Sequence, residues 1–239
     1  MAVFKTLTFD NENSLDYGVY ITGEAVYNAP ERAMEMISIP GKNGAIPLDQ
    51  GRFENISVKY PAGAFGKTQS EFASNIMKFR NVLASRYRYV RLSDDYNTDE
   101  FRLGMYRSGL ETKPVLMSRA GEFDIVFDCK PQRFLTSGET VVTKTSSGSI
   151  SNPTNFDAQP LLVVTGTGTL TVNGVQITIS KTPTTIDCES MEAYNGTTSR
   201  NGDIVLTPNE FPVLSPGSNT ITLSAGITKV EITPRWWRI

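Results

Sequence analysis

Histidine is missing from all 239 positions of the sequence. Ser-His-Asp and Cys-His nucleophile activation, imidazole base catalysis and His-ligated zinc are excluded with it, so an enzyme here would depend on carboxylates, Lys, Tyr or a bound ion. The chain also lacks an excess of either charge, with 23 Lys+Arg against 25 Asp+Glu and a formal charge of −2. No general attraction to nucleic acid or an anionic membrane surface follows from that balance. Long apolar runs are absent too. The longest aliphatic stretch, Leu161 to Val164, is far too short to span a bilayer. The N-terminal segment alternates and reaches Asp10 without the charged head and apolar core of a signal peptide, so a soluble protein made in a reducing cytosol is expected. Cysteine is scarce. Cys129 and Cys188 have no CxxC spacing and read as free, buried thiols. A chain this long buries about 70–75% of its unfolded surface and needs no disulfide or metal to fold.

What is present is unevenly distributed. Residues 1–133 hold 17 basic, 17 acidic and 15 Ser or Thr residues, whereas 134–239 hold 6, 8 and 31. Two domains are expected, an α+β N-terminal one over 1–133 and a β-sandwich over 134–239, in a protein that is mainly β. In the first, Val3 to Phe9, Val19 to Thr22, Arg32 to Ile39 and Phe53 to Tyr60 read as half-buried strands. One helix is expected over about 69–84. Thr68 and Glu71 form a capping box ahead of it, and Phe72, Ile76, Phe79 and Leu83 share one face. Tyr89 to Leu92 and Phe101 to Tyr106 form a hairpin around an acidic turn, and Gly121 to Phe127 is a strand with Phe123, Ile125 and Phe127 on one side. The second domain reads as short β-branched strands, with Asn173-Gly174 marking a type I′ hairpin.

Several clusters invite a chemical reading and fail on context. Asp95, Asn97 and Asp99 begin like a calcium loop, yet the sixth position is Glu100 and the twelfth Tyr106, where Gly and Glu are required. Glu122, Asp124 and Asp128 alternate simply because their neighbours point inward. Gly166-Thr167-Gly168 leads into another strand, so no helix N-terminus is available for phosphate. Arg86 to Arg91 interleaves cations and aromatics beside a helix C-terminus, where basic groups are favoured anyway. Trp236 and Trp237 lie at the chain end, where paired apolar rings most often tie a terminal strand into a sheet or form an interface. No catalytic residue, metal site or cofactor is expected.

The chain carries a series of loop and strand phrases in a fixed order. They begin with Ser38-Ile39-Pro40-Gly41-Lys42-Asn43-Gly44 and Asp49-Gln50-Gly51-Arg52-Phe53-Glu54 and continue through the capped helix to Phe123 through Phe134. In the second domain come Asn152-Pro153-Thr154-Asn155-Phe156, Pro160, Gly166-Thr167-Gly168, Asn173-Gly174, Phe211 to Asn219 and Pro234-Arg235-Trp236-Trp237. Over nearly its whole length the sequence resembles the distal tail protein family of long, flexible-tailed bacteriophages. That resemblance implies a virion protein of the tail tip, assembled in the host cytoplasm and not an enzyme. It implies a homo-hexameric ring between the tail-tube protein and the tail-associated lysin or fibre-base protein. DNA would pass transiently through its channel. The C-terminal sandwich, galectin-like or carbohydrate-binding-module-like, would be the platform for receptor-binding or baseplate proteins. Pro40, Gly41, Lys42, Asn43 and Gly44 are expected in the contact between subunits, with Trp236 and Trp237 as further interaction candidates. The other class in view is a lectin-like cell-surface carbohydrate-binding module. The missing signal peptide and the helix-containing first domain speak against it.

Overall fold

The computed structural model describes residues 4–24, 27–115 and 119–239. Val3, expected to open the first strand, lies outside the described residues. The chain divides into two compact units, Met1–Arg133 with Ile239, and Phe134–Arg238.

In the first unit the strands are β1 (Leu7–Phe9), β2 (Glu12–Asn13), β3 (Val19–Ile21), β4 (Arg32–Ser38), β5 (Ala45–Phe53), β6 (Ile56–Phe65), β7 (Val90–Asp94), β8 (Glu100–Tyr106), β9 (Lys113–Val115) and β10 (Ala120–Leu135). One antiparallel sheet runs in the order β2-β1-β7-β8-β10-β6-β3, with β9 also beside β10. Helix α1 (Gln69–Ala84) follows β6 and starts as its sequence demands. The Glu71 N–H donates to Thr68 Oγ1 at 3.1 Å, and the Glu71 carboxylate accepts from the Lys67 N–H at 2.9 Å. One orphan donor of the first turn and the N–H just ahead of the cap are thereby satisfied. The helix buries Phe72, Ile76, Phe79 and Leu83, the 3.6-residue face, into a core shared with Leu7, Phe9, Val58, Ile125 and Phe127. The Phe127 ring lies among Phe9, Tyr60 and Tyr106 at centroid distances of 5.0, 6.1 and 5.9 Å. Each such side chain contributes about 1.5–3 kcal/mol by leaving water. β10 keeps a period of two, with Phe123, Ile125, Phe127 and Cys129 buried and Glu122 and Asp124 exposed.

Two strand expectations need correction. Phe53 to Tyr60 is not one strand: Phe53 ends β5 and Ile56 begins β6. Arg32 to Ile39 is not half-buried, because among the described residues β4 pairs only with β5, in a separate two-stranded sheet in which Ala33 alone is buried. Alternation normally follows from one face packing on a core, and here neither face finds one.

The second unit has two antiparallel sheets around one core. Its strands are β11 (Val142–Lys144), β12 (Gly148–Asn152), β13 (Leu161–Gly166), β14 (Gly168–Val172), β15 (Val175–Ile179), β16 (Thr184–Asp187), β17 (Glu192–Asn195), β18 (Thr198–Ser199), β19 (Ile204–Thr207), β20 (Gly217–Leu223) and β21 (Ile227–Thr233). The sheets run β11-β21-β13-β16-β17-β18 and β12-β20-β14-β15-β19. Leu162, Val164, Ile186, Val230 and Ile232 of one meet Leu170, Val172, Ile177, Ile179 and Ile221 of the other. Strands β12, β17 and β18 were not expected from the sequence.

Several loop phrases turn out to be polar staples of this sandwich. Asn152 donates to the Phe156 and Leu214 carbonyls at 2.9 and 2.8 Å and accepts from the Thr154 N–H and hydroxyl at 2.9 and 2.8 Å. Fully buried Asn219 donates to the Ser215 and Gly217 carbonyls, both at 2.9 Å. Asn173, at φ +49 in the expected hairpin turn with Gly174, accepts from the Thr220 N–H at 2.9 Å and donates to the Val213 carbonyl at 3.1 Å. A buried amide keeps its place only when its donors and acceptors are met, as they are at Asn152 and Asn219.

Candidate assembly interface

Strands β4 and β5 form an arm. The register places Met34, Met36 and Ser38 opposite Asp49, Pro47 and Ala45, and Glu35 and Ile37 opposite Leu48 and Ile46. Apolar groups therefore stand on both faces. Met34, Met36, Ile37, Ile39, Ile46 and Leu48 are all exposed, from 40% for Ile46 to 60% for Met36. A two-stranded hairpin is marginal in water by itself, and each strand of this one has an edge with no strand beside it among the described residues.

The arm nevertheless has internal order. At its base the Arg32 guanidinium pairs with Asp49, whose other oxygen accepts from the Gly51 N–H at 2.9 Å. A register shift falls between Arg32 and Met34, opposite this point. The Arg32 hydrogen bond holds the Asp49 carboxyl below the ordinary carboxylate range, with the Gly51 N–H helping. Arg52 adds a contact to Glu54 at 2.9 Å. At the tip, the Lys42 N–H donates to the Ile39 carbonyl at 3.1 Å, and Pro40, which has no N–H to donate, lies just beyond β4. Gly41 and Gly44 both have φ +81 with open space where a Cβ would stand, so the left-handed backbone and not crowding asks for glycine.

Pro40, Gly41, Lys42, Asn43 and Gly44 thus form the exposed tip of the arm. The apolar strands behind the tip are what the sequence reading missed. Their signal was available: Met36 and Ile37, adjacent in sequence, cannot both face one core from a strand. Trp236 and Trp237 lie elsewhere, in the second unit. Trp236 is 5% exposed and belongs to that core, so its ring offers almost no surface. Trp237 stacks on Phe156 at 4.4 Å and donates from Nε1 to the Asp157 carbonyl at 2.9 Å.

The remaining clusters are tied into the fold by hydrogen bonds and ion pairs. Asp95 accepts from the Thr6 N–H and hydroxyl, both at 2.7 Å. Asp124 pairs with Lys59 at 2.7 Å and Asp128 with Arg107 at 3.2 Å. Arg86 pairs with Asp10, and the Arg91 guanidinium lies 3.9 Å from the Phe101 ring centroid. Gly166 and Gly168 carry the chain from β13 in one sheet to β14 in the other. Among the described residues no helix is long and apolar enough to cross a membrane.

No family model matches the sequence, and no curated protein matches it. Solved structures do. The crystal structure of SPP1 Dit (gp 19.1), described as a paradigm of the hub adsorption apparatus in phages infecting Gram-positive bacteria, superposes with a TM-score of 0.73 at 14% identity, covering 99% of this chain and all of that one. A chain of the phage P2 baseplate in its activated conformation with Ca gives 0.56 at 9% identity, over 96% of this chain and 97% of that one. The same baseplate with Sr gives 0.54 at 10%, over 99% of each chain. From end to end, this mainly β chain has the fold of phage tail hub and baseplate proteins.

Proposed function

We propose that the protein is a structural hub subunit of a phage tail tip. Copies associate into a homo-hexameric ring that joins the tail-tube protein to the tail-associated lysin or fibre-base protein, with adsorption proteins attached outside. The observation that carries this reading is the arm: a two-stranded sheet with apolar side chains on both faces, on a fold matched over its full length by a phage hub protein. Such a surface demands cover, and a cyclic homo-oligomer supplies it by presenting each arm to the next subunit in a heterologous contact that closes on itself. The tip from Pro40 to Gly44 lies in that contact. The protein acts in the virion, passively, and lets DNA pass.

Negative-stain imaging of the purified protein tests this. Six-fold rings with an axial hole support the hub. A monomer that instead captures immobilised glycans through residues 134–239 would replace it with a carbohydrate-binding role.

A further inference from the structure

Where β8 and β10 run side by side, the first unit encloses two arginines in one place. Arg102 is 7% exposed and Arg133 is 8% exposed, and both line a cavity of about 30 Å³. Arg133 has a carboxylate partner, Glu100, at 2.7 Å. Among the described residues Arg102 has none, and its side chain donates one hydrogen bond there, from Nη2 to the neutral Asn28 side chain at 3.2 Å. Its Nη1, and Nε of Arg133, are buried without any acceptor. A buried guanidinium left with open donors is costly, and proteins resolve this with a counter-ion or an ordered acceptor.

The carboxylates facing the cavity do not supply one. Glu100 is bound to Arg133. Asp94 accepts from the Tyr60 hydroxyl at 2.8 Å and from the Tyr96 and Asn97 N–H groups at 2.9 and 3.1 Å. Glu24 is exposed at the rim. Burial first, and then the charge of Arg133, push the Arg102 guanidinium below its ordinary value, and the opposing charge of Glu100 does not cancel them, so an anion beside it would relieve both.

We propose that this cavity is a halide site, with one chloride held between Arg102 Nη1 and Arg133 Nε. Its volume exceeds what a single water requires, so a monatomic anion fits.

Crystals of the full chain grown in sodium bromide and measured at the bromine edge test this directly. An anomalous peak within hydrogen-bond distance of Arg102 is expected, and an ordered water without anomalous signal overturns the site. In solution, the thermal midpoint is compared in chloride and fluoride at equal ionic strength. The site predicts a higher midpoint in chloride, rising with the logarithm of its concentration, and loss of that rise in Arg102→Gln. Salt exclusion from the protein surface predicts the opposite ranking, so a higher midpoint in fluoride contradicts the proposal. If Arg102→Gln fails to fold, the bromide measurement on the unaltered protein still decides.

Discussion

Ile37 and Ile46 stand directly opposite one another across the arm, and each leaves about two-fifths of its surface in water. A cross-strand apolar pair normally stabilises a sheet by packing against a layer beneath it. This pair has no such layer among the described residues. In the proposed ring the pair serves association, and the double substitution Ile37→Lys with Ile46→Glu separates the two roles. Opposite charges at directly paired positions preserve the hairpin while removing its apolar surface. Chemical denaturation of the monomer is expected to change by no more than about 0.5 kcal/mol, as for other surface positions, while self-association is lost.

The two cysteines are predicted to be chemically silent. Burial pushes both thiols up to about 12, with Arg102 opposing the rise at Cys129 and Arg235 opposing it at Cys188. A thiol that high carries almost no thiolate at neutral pH. A disulfide reagent such as Ellman's is expected to label neither in the folded protein at pH 8, and both after denaturation.

Arg235 holds Asp187 by two hydrogen bonds of 2.6 and 2.9 Å. Burial alone would raise this carboxyl. The Arg235 hydrogen bond and charge, joined by the Glu189 and Ser190 N–H groups, outweigh it and leave the group below its ordinary value. Because the folded value is depressed, the stabilisation is present above the unfolded carboxylate range, near pH 4, and is lost as pH falls through the lower folded value. The midpoint of the second unit is expected to drop on acidification below pH 4, and Asp187→Asn is expected to flatten that drop.

Gly138 marks the tightest backbone approach near the start of the second unit. A Cβ there would lie 2.4 Å from the Trp236 nitrogen, while the Gly138 carbonyl accepts from the Arg235 N–H at 2.8 Å. Backbone cannot step aside as a flexible side chain can. Gly138→Val is expected to destabilise the protein by at least about 1–3 kcal/mol in urea titration. Gly109→Val, with open space around it, serves as the mild control.

How much was legible in the sequence depended on whether local signals and tertiary packing agreed. Helix α1 was readable because Thr68, Glu71 and the Phe72-Ile76-Phe79-Leu83 face all point to one outcome. The turn at Asn173 and Gly174 was readable because the pair tolerates positive φ, which both adopt. The arm was misread because RAMEMISI alternates like a half-buried strand, and only the absence of a packing layer reveals its exposure. Strands β17 and β18 were missed because Tyr194 pairs with Ser199 across a short polar loop with little hydrophobic pattern. The tip from Pro40 to Gly44 is legible from its turn chemistry, whereas the exposed apolar surface behind it needs the register of β4 on β5.

Native mass spectrometry of the full chain beside its Ile37→Lys, Ile46→Glu variant tests the central claim most directly. The arm-mediated ring predicts a hexamer for the unaltered protein and a folded monomer for the variant. A variant that remains hexameric, or an unaltered chain that stays monomeric at the highest concentration reached, would contradict it.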